Sequence, residues 1–212
     1  MAIRSSATSS VPRLPVVFSA DSATAGGLAN YSDDSHWRRF IWSLGPIFPD
    51  VISRSTDVIR PARREEGEEV LRTVLLSLTM DSSWNDSYAL AERYLTSAVG
   101  RLFNEGDPLC LVIQKGNRLI AASLLDPDPV SANHLVGGPA VTMEYRNRGI
   151  GSQLLSESLA ALRDRGLSTA TGVTRDKTVA ARHVYTKFGS LSEPFRFSGI
   201  PPTVTVKQRL ES

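Results

Sequence analysis

The sequence predicts an α/β domain in which a mixed sheet carries helices on its faces. Three observations lead there. Apolar runs of strand length alternate with helical patterns in the order β-α-α-β-β-β-α-β-α-β-β. Two of the runs, 109–114 and 118–125, flank Lys115-Gly116-Asn117, a hairpin signal. A third run, ending at Val141-Thr142, passes through a basic turn with glycines into an amphipathic helix that begins at Ile150.

Residues 1–55 are read as an N-terminal extension and 56–212 as the domain. Residues 1–31 are rich in Ser, Ala, Thr and Gly, and the first twenty hold Arg4 and Arg13 but no acid. Transit peptides share that composition, but no strongly amphipathic basic helix accompanies it, so a loosely ordered tail is expected. Val16-Val17-Phe18 is too short for a secretory core. In the next segment Trp37, Phe40, Ile41 and Leu44 fall on one helical face, Asp34 or Ser35 can cap the start, and Gly45-Pro46 stops it. A short helix over 34–44 is therefore expected, packing its aromatic stripe on the domain.

Within the domain, residues 57–60 suit a first strand. A helix follows over 65–80 with Val70, Val74, Leu75 and Leu78 inward, then a break at 81–85 and a second helix over 87–103. After the hairpin and Asp126-Pro127-Asp128-Pro129, residues 134–142 form a strand disturbed by Gly137-Gly138-Pro139. Such residues inside a strand call for a bulge, a bend or a close backbone approach. The helix over 150–165 turns Ile150, Leu154, Leu155, Leu159 and Leu162 inward and ends at Gly166. A strand over 167–174 and a helix over 177–188, closed by Gly189, complete the α/β pattern. Residues 194–198 and 204–210 are expected to pair antiparallel around Gly199-Ile200-Pro201-Pro202.

Composition narrows the function. At 212 residues and 23.1 kDa the chain suits one well-cored domain with some extension. A net charge of +2 argues against a dedicated nucleic-acid binder. No apolar run reaches the roughly 18 residues of a membrane span. The single Cys110 excludes an intrachain disulfide and fits a reducing compartment, so a cytoplasmic location is expected. Cys110 itself reads as a buried small hydrophobe. With His36, His134 and His183 scattered, no metal-ligand spacing exists and no metal is expected.

Chemistry concentrates in 141–152. Gly149 and Gly151 let the backbone approach a ligand closely, and the first turn of a helix offers unpaired N–H groups and a positive dipole end. Arg146 and Arg148 add charge-assisted contacts. The ligand implied is anionic and phosphate-bearing. A G-x-x-x-x-G-K-[ST] loop is absent, and the dinucleotide fingerprint fails because Leu154 stands at its third glycine.

What remains, Arg146-x-x-Gly149-x-Gly151 between a strand and a helix, resembles the acetyl-CoA pyrophosphate loop of the GNAT (GCN5-related) N-acetyltransferases. A second segment resembles their N-x-x-A-x-x-x-Y-x-K-x-G-F pattern. Ala181, Tyr185, Lys187 and Gly189 match it, while Thr178 replaces the Asn and Ser190 the final aromatic. The resemblance covers about 56–210. It implies the GNAT fold, acetyl-CoA as co-substrate, no metal, and direct attack of a primary amine on the thioester. It also implies cofactor contacts from Val141, Met143, Arg146, Arg148, Gly149, Ile150, Gly151, Ser152, Thr178, Ala181 and Tyr185. Tyr185 is the expected proton donor to the leaving thiolate, and Glu144, His134 and Asp126 are unranked candidates for the base. The acceptor would be a small-molecule or peptide amine, with no nucleic-acid or membrane partner, and a homodimer is compatible. The alternative is a GNAT-like module that binds acyl-CoA without turnover.

Overall fold

The computed structural model describes residues 36–45, 57–104 and 108–196. The expected tail over 1–31 and the strand expected over 204–210 lie outside them. The elements run β1 (Trp37–Ser43), β2 (Ile59–Pro61), α1 (Gly67–Thr79), α2 (Tyr88–Asn104), β3 (Cys110–Lys115), β4 (Arg118–Leu125), β5 (Leu135–Val141), α3 (Ile150–Asp164), β6 (Thr169–Arg175), α4 (Val179–His183) and β7 (Leu191–Pro194). The strands form two ladders, β2-β3-β4-β5 and β6-β1-β7, and every pairing is antiparallel.

One expectation is overturned. The segment expected as a helix over 34–44 is strand β1, paired along its length with β6 and over 38–41 with β7. Phe40, Trp42 and Leu44 recur every second residue and are 2%, 0% and 4% exposed, a strand period. The helical reading of Trp37, Phe40, Ile41 and Leu44 failed because aromatic and β-branched residues pack well on a pleated face, and the partner strands are far away in sequence. The expected extension thus supplies the middle strand of a sheet. The helix expected over 177–188 is also interrupted. Helix α4 stops at His183, Val184 is its C-cap with φ stretched to −115°, and a one-turn 3-10 helix covers Tyr185–Phe188. β7 lies a little before the strand expected at 194–198.

Helices α1 and α2 cover one side of β3–β5, burying Val70, Val74, Leu95 and Phe103 against Val112 and Leu124. Helices α3 and α4 lie under the other face, with Leu155, Leu159 and Leu162 against Phe40 and Trp42. Each fully buried aliphatic side chain there contributes about 1.5–3 kcal/mol relative to exposure. The hairpin turn falls where the sequence puts it, with Gly116 at φ +58°.

Candidate active site

Strands β5 and β6 are joined by α3 but share no ladder, and the space between them is the site. At one end side chains replace the missing ladder. Val173 donates its N–H to Asn133 Oδ1 at 3.0 Å, and Thr171 donates its N–H to His134 Nδ1 at 3.0 Å. Beyond this clasp the strands separate around a cavity of about 1420 Å³.

The sequence Gly137-Gly138-Pro139 shapes the wall of that cavity. Between the pairs Leu124–Gly137 and Ala122–Ala140, Gly138 and Pro139 stand opposite the single Ser123, a bulge. A Cβ at Gly138 would lie 2.5 Å from Ser123 Cα and 2.7 Å from Ser123 Oγ, so only glycine fits. The bulge turns the Gly138 carbonyl towards Tyr185, whose hydroxyl donates to it at 2.9 Å.

Tyr185 is 3% exposed and rests edge-on against Phe40 and Trp42, at centroid distances of 5.0 and 5.1 Å. Strand β1 is therefore the bed of this ring. Burial pushes the phenol's pKa well above its ordinary value, so the group stays protonated and keeps a proton to donate. Burial also pushes the Cys110 thiol up to about 12, leaving it an inert part of the core.

The basic turn forms the opposite pole. Gly149, at φ +85°, is the N-cap of α3, and no side chain caps the helix there. Lys187 reaches across from the 3-10 turn, its ammonium donating to Ser152 Oγ at 3.3 Å. Arg148 is exposed, donates to the Glu144 carbonyl at 2.9 Å and lies over the Tyr145 ring. Arg146 acts mainly as a brace: Nε donates to the Val141 carbonyl at 3.1 Å and Nη2 to the Ser77 carbonyl at 2.6 Å, tying the turn to the end of α1. Together these groups make a positive, glycine-lined cup suited to an anion.

Of the residues expected at the cofactor, Val141, Arg146, Arg148, Gly149, Ile150, Gly151, Ser152, Thr178 and Tyr185 line the cavity. Met143 and Ala181 do not. Met143 sits beyond the end of β5 in a one-turn 3-10 helix, where its backbone is not extended, and its side chain is exposed. Ala181, on α4, is buried in the core. Thr178 uses its hydroxyl locally, accepting from Ala181 N at 3.2 Å as the N-cap of α4 and donating to the Arg175 carbonyl at 2.9 Å.

Two expected bases stand away from the cavity. Glu144 is on the surface in an ion pair with Arg118 at 2.7 Å. His134 is buried and uses the Nδ1 lone pair to accept from Thr171, so it clasps two strands and has no lone pair turned to the cavity. Desolvation lowers its pKa, which keeps the ring neutral for that role. Asp126 does line the cavity. It accepts from Arg101 at 3.0 Å, from Ser131 Oγ at 3.3 Å and from the Asp128 N–H at 3.2 Å.

Sequence reasoning missed Trp37, Tyr94, Asn133 and Lys187 on the cavity wall. Lys187 was readable from its place beside Tyr185. The two-residue period of Phe40, Trp42 and Leu44 would have found β1 and put Trp37 on its other face.

The family model of the acetyltransferase (GNAT) family matches residues 75–190, more than half of the 212 residues. The chain belongs to the GNAT family. The match begins after β1, so this GNAT domain takes a wall of its cavity from outside the matched region. Solved structures similar to it include a Drosophila protein, at 17% identity and a TM-score of 0.49, aligned over 75% of this chain and 48% of that one. A conserved protein of Staphylococcus epidermidis, described as functionally unknown, aligns at 15% identity and a TM-score of 0.46 over 74% of this chain and 57% of its own. The PaiA N-acetyltransferase of Thermoplasma acidophilum, in complex with coenzyme A, aligns at 20% identity and a TM-score of 0.32 over 53% of this chain and 76% of that one. The GNAT chain thus spans about half the length of the first two. No curated protein matches it. Among the described residues no helix is long and apolar enough to cross a membrane.

Proposed function

We propose that this GNAT protein is an acetyl-CoA-dependent N-acetyltransferase acting on a primary amine. The observation that carries the reading is a protonated, buried phenol, Tyr185, on the wall of a cavity whose other pole is the uncapped, lysine-flanked start of α3. Family membership adds support.

The residues suit the co-substrate. Gly149 and Gly151 leave room at the helix start, where a Cβ on Gly151 would meet only Val184 and Val141 side chains at 3.7 and 3.8 Å. The first-turn amides, Lys187 and Arg148 would hold a diphosphate there, and the wall of β5 from Gly137 to Val141 would take the pantetheine arm. Acetyl-CoA supplies the activated acetyl thioester. The chain's own groups do the rest. Tyr185 holds a proton that a turn of its O–H away from the Gly138 carbonyl redirects to a leaving thiolate. Asp126 draws in the ammonium form of the amine, whose proton leaves through water. An N–H of the bulge at Gly138 would stabilise charge building on the carbonyl oxygen.

Purified protein incubated with acetyl-CoA and a panel of primary amines should release free thiol in an amine-dependent manner. Acetyl-CoA binding with no thiol release on any amine would replace this reading by that of a non-catalytic acyl-CoA-binding module.

A further inference from the structure

The match to the family model starts at residue 75, yet the ring of Tyr185 rests on Phe40 and Trp42. What those two residues do for the phenol follows from how freely it could otherwise move. The χ2 torsion of a tyrosine is broad, so packing rather than torsional preference must fix the plane of the ring. At the far end the hydroxyl is tied to the Gly138 carbonyl, and proton transfer to a thiolate breaks that tie. From then on the neighbours of the ring hold its oxygen in place.

Trp42 is fitted for that task. It is fully buried, meets the Tyr185 ring at 88° with centroids 5.1 Å apart, and stacks on Phe40 at 25°. Strand β1 is paired with β6 along its whole length, which sets Phe40 opposite Gly172 and Trp42 opposite Ala170. The room left by these small residues is filled. A Cβ at Gly172 would lie 3.2 Å from Trp42 Cζ3 and 3.0 Å from Leu135 Cδ1. The indole therefore lies over β6, reaching towards Leu135 of β5, with Tyr185 against it. Its Nε1 is buried and has no hydrogen-bond partner among the described residues. A buried donor without a partner is costly, and a phenylalanine would carry none. The breadth of the indole, not its N–H, is what this position uses.

Resting on the transferase reading, we propose that Trp42 is a positioning residue for proton transfer. Seated over Gly172, it fixes the Tyr185 ring so that the hydroxyl keeps its reach to the leaving thiolate when it lets go of Gly138. The machinery of the reaction then includes β1, a strand outside the segment that matches the family. Misplacing a reacting group by about 1 Å can cost about 100-fold in rate, so even a partial loosening of the ring is measurable.

The test is a double-mutant cycle on the full chain, with thiol release from acetyl-CoA at saturating amine as readout. Trp42→Leu should lower kcat by about tenfold or more and move the KM for acetyl-CoA by no more than about twofold, because the anion cup is untouched. Gly172→Ala keeps the indole but crowds it, and should lower kcat by about threefold or more. It decides the matter if Trp42→Leu does not fold. In a Tyr185→Phe background no proton donor is left to position, so either substitution should change kcat by less than about twofold. An undiminished effect in that background, or an unchanged kcat when Tyr185 is present, would overturn the assignment while the transferase reading stood. No thiol release by the unsubstituted chain with any amine would overturn both.

Discussion

Replacing Tyr185 by Phe removes one O–H and leaves the ring on its bed of Phe40 and Trp42, so its two expected consequences can be separated. The hydroxyl makes one hydrogen bond, 2.9 Å to the Gly138 carbonyl. Gly138 is only partly buried at the cavity wall, so water can take over its carbonyl. The stability lost should then be that of a single net hydrogen bond, about 1 kcal/mol. For a domain of this size that lowers Tm by about 2–4 °C. Catalysis should suffer more. A positioned proton donor is worth about 100-fold or more, so kcat should fall by at least that factor. The KM for acetyl-CoA should move by no more than about twofold, because the anion cup is untouched. Thiol release at saturating amine, together with thermal unfolding of the same preparation, measures both. A lowered Tm with kcat unchanged would refute the reasoning and leave Tyr185 as no more than a clamp on the bulge.

Three further outcomes are expected. The Arg60 guanidinium, hydrogen-bonded to Glu66 at 2.8 and 2.7 Å, lowers that buried carboxyl from 4.5 to about 2. Its contribution, about 3 kcal/mol at most, is present above about pH 4.5 and lost as pH falls towards 2; urea unfolding at pH 7 and pH 3 should show this loss, and Glu66→Gln should flatten it. His134→Ala should leave the Thr171 amide without its acceptor and lower stability by about 1–3 kcal/mol, yet reduce kcat by less than about tenfold with the pH–rate profile unchanged in shape, whereas removal of a general base would change that profile. Gly138→Ala should be much more damaging than Gly137→Ala in thermal unfolding. The first drives a methyl into the Ser123 backbone at 2.5 Å, while the second meets only the movable Leu95 Cδ2 at 2.8 Å, and overpacking of the rigid kind costs about 1–3 kcal/mol or more.

Much of the fold was legible because it is written in local pattern. The helices over Gly67–Thr79, Tyr88–Asn104 and Ile150–Asp164 follow from apolar spacing, and the hairpin from Lys115-Gly116-Asn117. The anion cup was legible for the same reason, since Gly149, Gly151 and the start of α3 are neighbours in sequence and their backbone geometry is the site. The base was not legible. Glu144, His134 and Asp126 are near one another in sequence, but whether a lone pair meets the cavity, a strand amide or a surface arginine depends on groups as distant as Thr171, Arg118 and Arg101.

By itself the sequence determined the three long helices, the hairpin, the glycine turn before α3 and the family, because each depends on residues a few positions apart whose torsions and periodicities are set locally. Only the tertiary structure decided that Trp37–Ser43 is the middle strand of a sheet, that Phe40 and Trp42 support Tyr185, and that Trp37 and Trp84 share one wall. Those facts depend on which distant strand supplies the hydrogen-bonding partner. A seven-residue run with aromatic side chains at Trp37, Phe40 and Trp42 can bury a face as either helix or strand until that partner is present.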